Sequence, residues 1–399
     1  MRDIGVLILA GGKGDALGLI TKHRPSSAVP YGAKYRVIDF VLSNCAHSEL
    51  PRVGLLTQYA PTSLNRHVGI GRPWGLDRRQ GGVKLLQPFG TRGSANWYRG
   101  TADALLQNRN ELYGTRHTLV LSGDAVYLMD YGDLIRAHEA SRAELTLAVK
   151  EVPPAHSERY GMVTVDGDRV VEFEEKPRHT ATRWASLGVY LFSTSALSRR
   201  LEAAPGPDLV FDVILPMIRE GARVSPFIFE GYHEDLGAVD SYFQANMDLL
   251  AARPPINLYD PDWPVFTLNE ERAPAVFGAE AMVAGSLIAN GCVIEGEVVE
   301  SLLFAGVTVL RGARVERSVV FSNAFIEAEA SVRRAILDKN VNVGAGARVG
   351  GDAAITVVGK NAVLPPGLTV GEGARLDVGV GLGDFPRLVV EPFAEVLRS

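Results

Sequence analysis

Cysteine is nearly absent. The 399 residues hold two, Cys45 and Cys292, far apart and outside any CxxC spacing. That argues against a disulfide framework or a thiolate zinc site and fits a reducing cytoplasm. No apolar run reaches ~18 residues, so no membrane-spanning helix is expected. Basic residues are not in excess: 41 Lys and Arg stand against 46 Asp and Glu, a net charge of −5, leaving no basic field for nucleic acid. The N-terminal MRDIGVLILAGGKG ends its brief apolar stretch in glycines, which reads as a first strand and not as a signal peptide.

What is present is long enough for two domains. Val6–Ala10 is short, apolar and suited to a buried parallel strand. Gly11, Gly12 and Gly14 follow at once. Bare backbone N–H groups in such a turn can approach an anion, though a ligandless strand-to-helix turn fits GGKG equally well. The dinucleotide pattern GxGxxG is not matched, because Leu17 stands at its third glycine. Arg52–Ala60 repeats the strand pattern and Ser63–Val68 starts a helix. Residues 69–96 read as a long loop, functional or mobile. Thr101 or Asp103 could cap the helix that follows WYRG.

In HTLVLSGDAV, Asp124 falls at the C-terminal end of a strand, the edge where α/β sheets bind ligands, though a turn aspartate or N-cap fits it equally well. Asp235 precedes Gly237 and an amphipathic helix. Together the two carboxylates could hold one hard cation such as Mg²⁺. A hairpin is expected at Asp166-Gly167. After it, Glu174-Glu175-Lys176-Pro177 leaves the strand extended, because proline bars helix there. Lys176 could then present a point charge to a phosphate; a solvated charge run is the plainer alternative.

The stretch from Val6 to Asn44, above all GAKYRVIDFVLSN, resembles the N-terminal signature of sugar-nucleotide pyrophosphorylases, and within them the ADP-glucose pyrophosphorylases. WYRGTADA, SGDAVYLMDY, RYGMVTVD, FEEKP, ASLGVYLF and HEDLG resemble that family's later segments in order. The resemblance implies a Rossmann-like α/β nucleotidyltransferase domain over residues 1–250. It implies ATP and glucose 1-phosphate as substrates, ADP-glucose and pyrophosphate as products, and Mg²⁺ on Asp124 and Asp235. Gly11, Gly12 and Gly14 would cradle the triphosphate, with Tyr98, Gly100, Thr101 and Asp103 on the nucleotide side. Lys176 would bind the sugar phosphate, Glu175 and Ser186 its hydroxyls, and Gly161 would let the ring approach closely. Asp124, Asp235 and Lys176 would carry the catalysis. Allosteric control is a family trait.

The chain also departs from the family. Ala16 replaces the arginine of GGxGxRL, and Ser26 the lysine of RAKPAVP; both cations normally face ATP phosphates. Phe89 and Gly90 stand where a glutamine would read adenine. Lys13, Lys22 or Arg24 could substitute for the lost charges. Two readings follow: an active adenylyltransferase of glycogen synthesis, or a degenerate subunit that binds sugar phosphate and tunes an active paralogue. UTP or dTTP in place of ATP is disfavoured by GAKYRVIDF.

Residues 251–282 are proline-rich and read as a linker. From Val283 short apolar triplets recur at 15 to 17 residues between Gly, Asn and Ala. That spacing predicts a left-handed parallel β-helix of four to five coils over residues 283–399, the last thirty residues capping it or packing back on it. A small β-sandwich is the rival. No histidine follows His233, so the β-helix lacks the base that related acyltransferases use, and its expected role is structural. Its faces suit a homo-oligomer, a tetramer by resemblance, or a hetero-oligomer with a paralogue.

Overall fold

The computed structural model describes residues 3–78, 81–89, 97–203 and 206–398. Gly90, singled out above, lies outside them. The described residues pack as two units, and sequence order does not divide them cleanly. One comprises Met1–Gly12, Ile38–His233 and Asp260–Phe266; the other comprises Lys13–Val37, Glu234–Tyr259 and Thr267–Ser399.

The first unit is built on a nine-stranded mixed sheet. Its centre is parallel: Ile4–Leu9 pairs with Arg52–Leu56 on one side and His117–Ser122 on the other. Ile4, Val6, Leu7 and Ile8 are all buried, as strands covered on both faces require. Gly82–Leu86 extends the parallel edge beside Arg52–Leu56. This strand falls within the stretch expected to be a loop. Its entry is disguised by Gly81 and Gly82, both at positive φ. The same stretch is anchored by buried Trp74, which meets the ring of His67 edge-on, while His67 Nε2 lies 2.5 Å from buried Asp39.

Beyond His117–Ser122 the sheet turns antiparallel through Trp184–Ser193, which pairs with Leu145–Glu151 and the hairpin Gly161–Asp166/Arg169–Glu175. The predicted turn is present, with Gly167 at φ +58°. Residues 260–266 belong to this unit. Phe266 N–H donates to Ser43 Oγ (2.9 Å), Trp263 Nε1 donates to Asn44 Oδ1 (3.2 Å), and His47 stacks on Phe266. Part of the proline-rich connector is therefore a strap fixed to helix Val37–His47.

Two histidines of this unit are buried and neutral. His138 bonds Thr146 Oγ1 and lies against His117; His233 bonds Leu187 O and stacks on Tyr127. Burial lowers each to about 4. Above pH 6.5 both are neutral whether folded or unfolded. Between 6.5 and 4 only the unfolded chain takes the protons, so stability falls as pH falls, by on the order of 3 kcal/mol per histidine. Urea midpoints should drop across this window, and more shallowly in His138→Gln. Equal slopes in the two proteins would contradict the assignment.

The second unit contains a parallel β-helix. Three sheets of six, seven and seven strands each run parallel, one coil stacked on the next. One sheet has strands starting at Met282, Glu297, Arg314, Ser331, Arg348, Thr369 and Val389. The helix thus has more coils than the four to five expected. Residues 369–396 add coils where a cap was expected. The last steps lengthen to 21 and 20 residues, which hides the repeat. The interior is Val, Ile, Leu and Ala. Corners use left-handed residues such as Asn323, Asn340 and Asn361, whose side-chain amides bond from coil to coil (3.2 and 2.9 Å).

In one sheet Phe304, Phe321, Asp338, Gly359 and Asp377 occupy equivalent positions on successive coils, each N–H donating to the coil above. The N-terminal segment docks along this column. Arg24 Nη2 reaches both Asp338 carboxylate oxygens (2.7 and 2.8 Å) and its guanidinium lies over Phe321. Lys22 Nζ reaches Asp377 at 2.6 and 2.8 Å. Tyr242 of helix Val239–Asp248 meets Phe321 edge-on and donates to Pro30 O. No helix among the described residues is long and apolar enough to cross a membrane.

Candidate active site

In the first unit, candidate residues collect at the C-terminal ends of the central strands. Ala10 N–H donates to Leu56 O (2.9 Å), Tyr59 N–H to Gly11 O (3.3 Å) and Gly123 N–H to Leu9 O (3.0 Å). The three strand ends are thereby tied together. A Cβ on Gly11 would sit 3.1 Å from the Gln58 side chain, and one on Gly123 would lie 3.0 Å from Leu9 O. A Cβ at either position would be tight, so its neighbour would have to give by a few tenths of an ångström. Asp124 follows Gly123 and accepts a short hydrogen bond from Ser122 Oγ.

Gln58, which the sequence reading passed over, clamps the next segment. Its Oε1 accepts from Tyr98 N–H (2.6 Å) and its Nε2 donates to Tyr98 O (3.2 Å). Tyr98 is buried, and its hydroxyl accepts from Asn108. Helix Thr101–Gln107 starts at Gly100, and neither expected side chain caps it. Its free N–H groups, Ala102 and Asp103, donate to Pro207 O. Thr101 Oγ1 accepts from Leu209 N–H, while Asp103 holds Arg99 and Gln107. The cap is supplied from about a hundred residues away, so no local pattern could reveal it. Phe89 and Trp97 are both exposed.

A second cluster lies on the antiparallel strands. Gly161 pairs with Glu175, and a Cβ on Gly161 would fall 2.4 Å from the Phe173 ring and 3.0 Å from the Glu175 carboxylate. Lys176 departs from the expected extended backbone: its φ is +46°. Lys176 N–H donates to Tyr160 O (3.1 Å) and Ser157 Oγ to Pro177 O (2.9 Å), which hold the strained turn. The Lys176 ammonium is exposed, 3.8 Å from Glu175. The neighbouring strand bulges between Ser186 and Tyr190, with Gly188 at φ +68° packed on Ser122. Ser186 Oγ donates to the Tyr190 hydroxyl (3.3 Å). Burial raises the Glu175 carboxyl, and the nearby Asp208 charge adds to this against Lys176. Tyr190 is pushed up to about 12 by burial, with Glu175 and Asp208 contributing. Tyr190 and Asp208 thus join the predicted Glu175, Lys176, Ser186 and Gly161. Only their position in the fold reveals them.

In the second unit, Gly14 is left-handed (φ +66°) and its carbonyl accepts from Leu17 N–H and Thr21 Oγ1. Ala16 is exposed and Ser26 buried, with Ser26 Cβ 3.0 Å from where a Gly14 Cβ would stand. Of the cations that could replace the missing pair, Lys22 and Arg24 are committed to Asp377 and Asp338. Lys13 pairs with Asp15 at 2.6 Å on the surface. Asp235 ends strand His233–Asp235, close to Gly237.

Among the described residues no three or more His, Cys, Asp or Glu side chains gather as a metal cage. Single hard carboxylates at strand ends suit Mg²⁺, which is held by one or two carboxylates plus waters and substrate phosphates.

A parallel core with ligand-side glycines, joined to a hexapeptide-type β-helix, defines a nucleotidyltransferase: the Nucleotidyl transferase family model matches residues 5–252, and a GlmU-like C-terminal hexapeptide model matches residues 273–355. A glucose-1-phosphate adenylyltransferase of Thermomicrobium roseum is 45% identical over all of both chains. Those of Pseudothermotoga lettingae (all of both chains) and Acetivibrio thermocellus (all of this chain, 98% of the relative) are 42% and 38% identical. The chain belongs to the glucose-1-phosphate adenylyltransferase family.

Proposed function

We propose that the chain transfers the adenylyl group of ATP to glucose 1-phosphate, giving ADP-glucose and pyrophosphate. The observation that carries this reading is the full-length likeness to relatives of that name, together with the Gly161–Glu175–Lys176–Ser186 cluster in one unit. Lys176 would hold the sugar phosphate, while Glu175 and Ser186 orient the ring over Gly161. The phosphate oxygen is already an anion, so no general base is needed; positioning and charge stabilisation suffice. Gly11, Gly12 and Gly14 would hold the triphosphate by backbone. Tyr98 and Gly100, with Thr101 and Asp103 behind them, would form the nucleotide wall. Asp124 and Asp235 would hold Mg²⁺, which when bound offsets phosphate charge. Assembly as a homotetramer, allosteric control and a cytoplasmic setting belong to the same reading.

Purified protein with ATP, Mg²⁺ and glucose 1-phosphate should release pyrophosphate. The turnover should be modest, because Ala16 and Ser26 supply no charge and Lys22 and Arg24 are engaged elsewhere. The double variant Ala16→Arg/Ser26→Lys should raise kcat by about 10- to 100-fold. An unchanged kcat would remove the missing cations as the cause. Absence of turnover alone, with altered kinetics of an added paralogue, would favour the regulatory subunit.

A further inference from the structure

Strand Trp184–Ser193 is interrupted just after Ser186. Its register against Leu145–Glu151 runs Ser186↔Val149 and then Tyr190↔Leu147, four residues on one strand against two on the other. Pairing with His117–Ser122 begins only at Val189, and pairing with Gly161–Asp166 ends at Ala185. Leu187 and Gly188 thus fall outside the register of all three neighbouring strands. A bulge of this kind re-aims the side chains beside it, and with no ladder bonds it needs another hold. A side chain provides one: His233 Nε2 lies 3.2 Å from Leu187 O. A carbonyl can only accept, so Nε2 carries the proton and Nδ1 is bare. Nδ1 is buried and has no partner among the described residues. The ring itself is fixed, stacked on buried Tyr127 with centroids 5.2 Å apart. A phenyl ring could stack there without burying an orphan acceptor, so the donated bond is what the imidazole adds.

We propose that His233 is a positioning residue for glucose 1-phosphate, donating to Leu187 O and thereby fixing the bulge that aims Ser186 at the sugar. This rests on the adenylyltransferase reading above, which gives Ser186 its contact with the sugar. The bulge is short and closed on its other sides. The Ser186 hydroxyl reaches across it to the Tyr190 hydroxyl at 3.3 Å. Gly188, at φ +68°, lets it close on strand His117–Ser122, since a Cβ there would stand 3.0 Å from Ser122 Cβ. Leu187 is 3% exposed, so its carbonyl, once the donor is gone, is left unmet away from water. The peptide next to Ser186 then loses its side-chain hold. The nucleotide-wall residues Tyr98 and Gly100 lie on another segment, so the loss should fall on the sugar phosphate alone.

The test is calorimetric titration of glucose 1-phosphate into the full chain saturated with α,β-methylene-ATP and Mg²⁺. His233→Phe keeps a stacking ring and removes the donor; it should weaken glucose 1-phosphate binding about five- to tenfold. His233→Gln places an amide N–H near the reach of Nε2 and should stay within about twofold of the parent. The affinity for α,β-methylene-ATP with Mg²⁺, titrated separately, should be the same in all three within about twofold. Should phenylalanine prevent folding, His233→Leu carries the same expectation. Parent and His233→Phe binding glucose 1-phosphate equally well would overturn the positioning role while leaving the adenylyltransferase reading intact. So would His233→Gln binding as weakly as His233→Phe, or an equal loss of nucleotide affinity, either of which marks a general structural role. A parent that binds no glucose 1-phosphate would overturn both.

Discussion

Asp124→Asn should lower kcat by about 10²- to 10³-fold while leaving the fold unchanged. The substitution keeps size and an acceptor oxygen, so the hydrogen bond from Ser122 Oγ can persist. It removes one negative charge at the end of strand His117–Ser122, beside Gly123, which is held on Leu9 O. With no carboxylate cage among the described residues, each single carboxylate matters, because waters and phosphates complete the shell of a bound Mg²⁺. The measurement is kcat over a Mg²⁺ titration, with thermal unfolding as control. A kcat within threefold of the parent would remove Asp124 from the metal site; a lost transition in unfolding would show a structural role.

Asp338→Ala should destabilise the second unit by about 3–5 kcal/mol. Arg24 and Asp338 are 4% and 2% exposed, so removing the carboxylate leaves a guanidinium buried with no counter-charge. Arg24 Nη1 already lacks a partner, and Phe321 beneath the guanidinium offers only its ring face. Removing both charges is different: Arg24→Met with Asp338→Leu should cost no more than about 1 kcal/mol, since apolar pairs of similar volume often replace buried ion pairs without loss. Urea unfolding of both variants checks this. Equal destabilisation by the single and double changes would mean that packing, not uncompensated charge, sets the cost. The exposed end of the same column, Lys22–Asp377, should contribute far less, because Lys22 is nearly half exposed.

The contrast between these sites shows what a sequence can carry. Parallel strands Ile4–Leu9 and His117–Ser122 announce themselves as short apolar runs ending in glycine. The hairpin at Gly167 is written in two residues. The pairing of Glu175 with Gly161 is less legible, because the hairpin register shifts by one residue between Val170 and Glu172. Other features depend on partners remote in sequence. Pro207 caps a helix that begins at Thr101, and Lys176 turns left-handed because Tyr160 O holds its N–H. Asp338 and Asp377 form one column only after the coil register is known. Strand Gly82–Leu86 is hidden by its positive-φ glycines, and the last coils by their lengthened spacing.

The central proposition is that this chain makes ADP-glucose. Equimolar ATP, UTP and dTTP, offered together with glucose 1-phosphate and Mg²⁺ to the purified protein and resolved by mass spectrometry, tests it most directly. ADP-glucose should dominate the sugar nucleotides formed; UDP-glucose as the main product, or no sugar nucleotide at all, would contradict it.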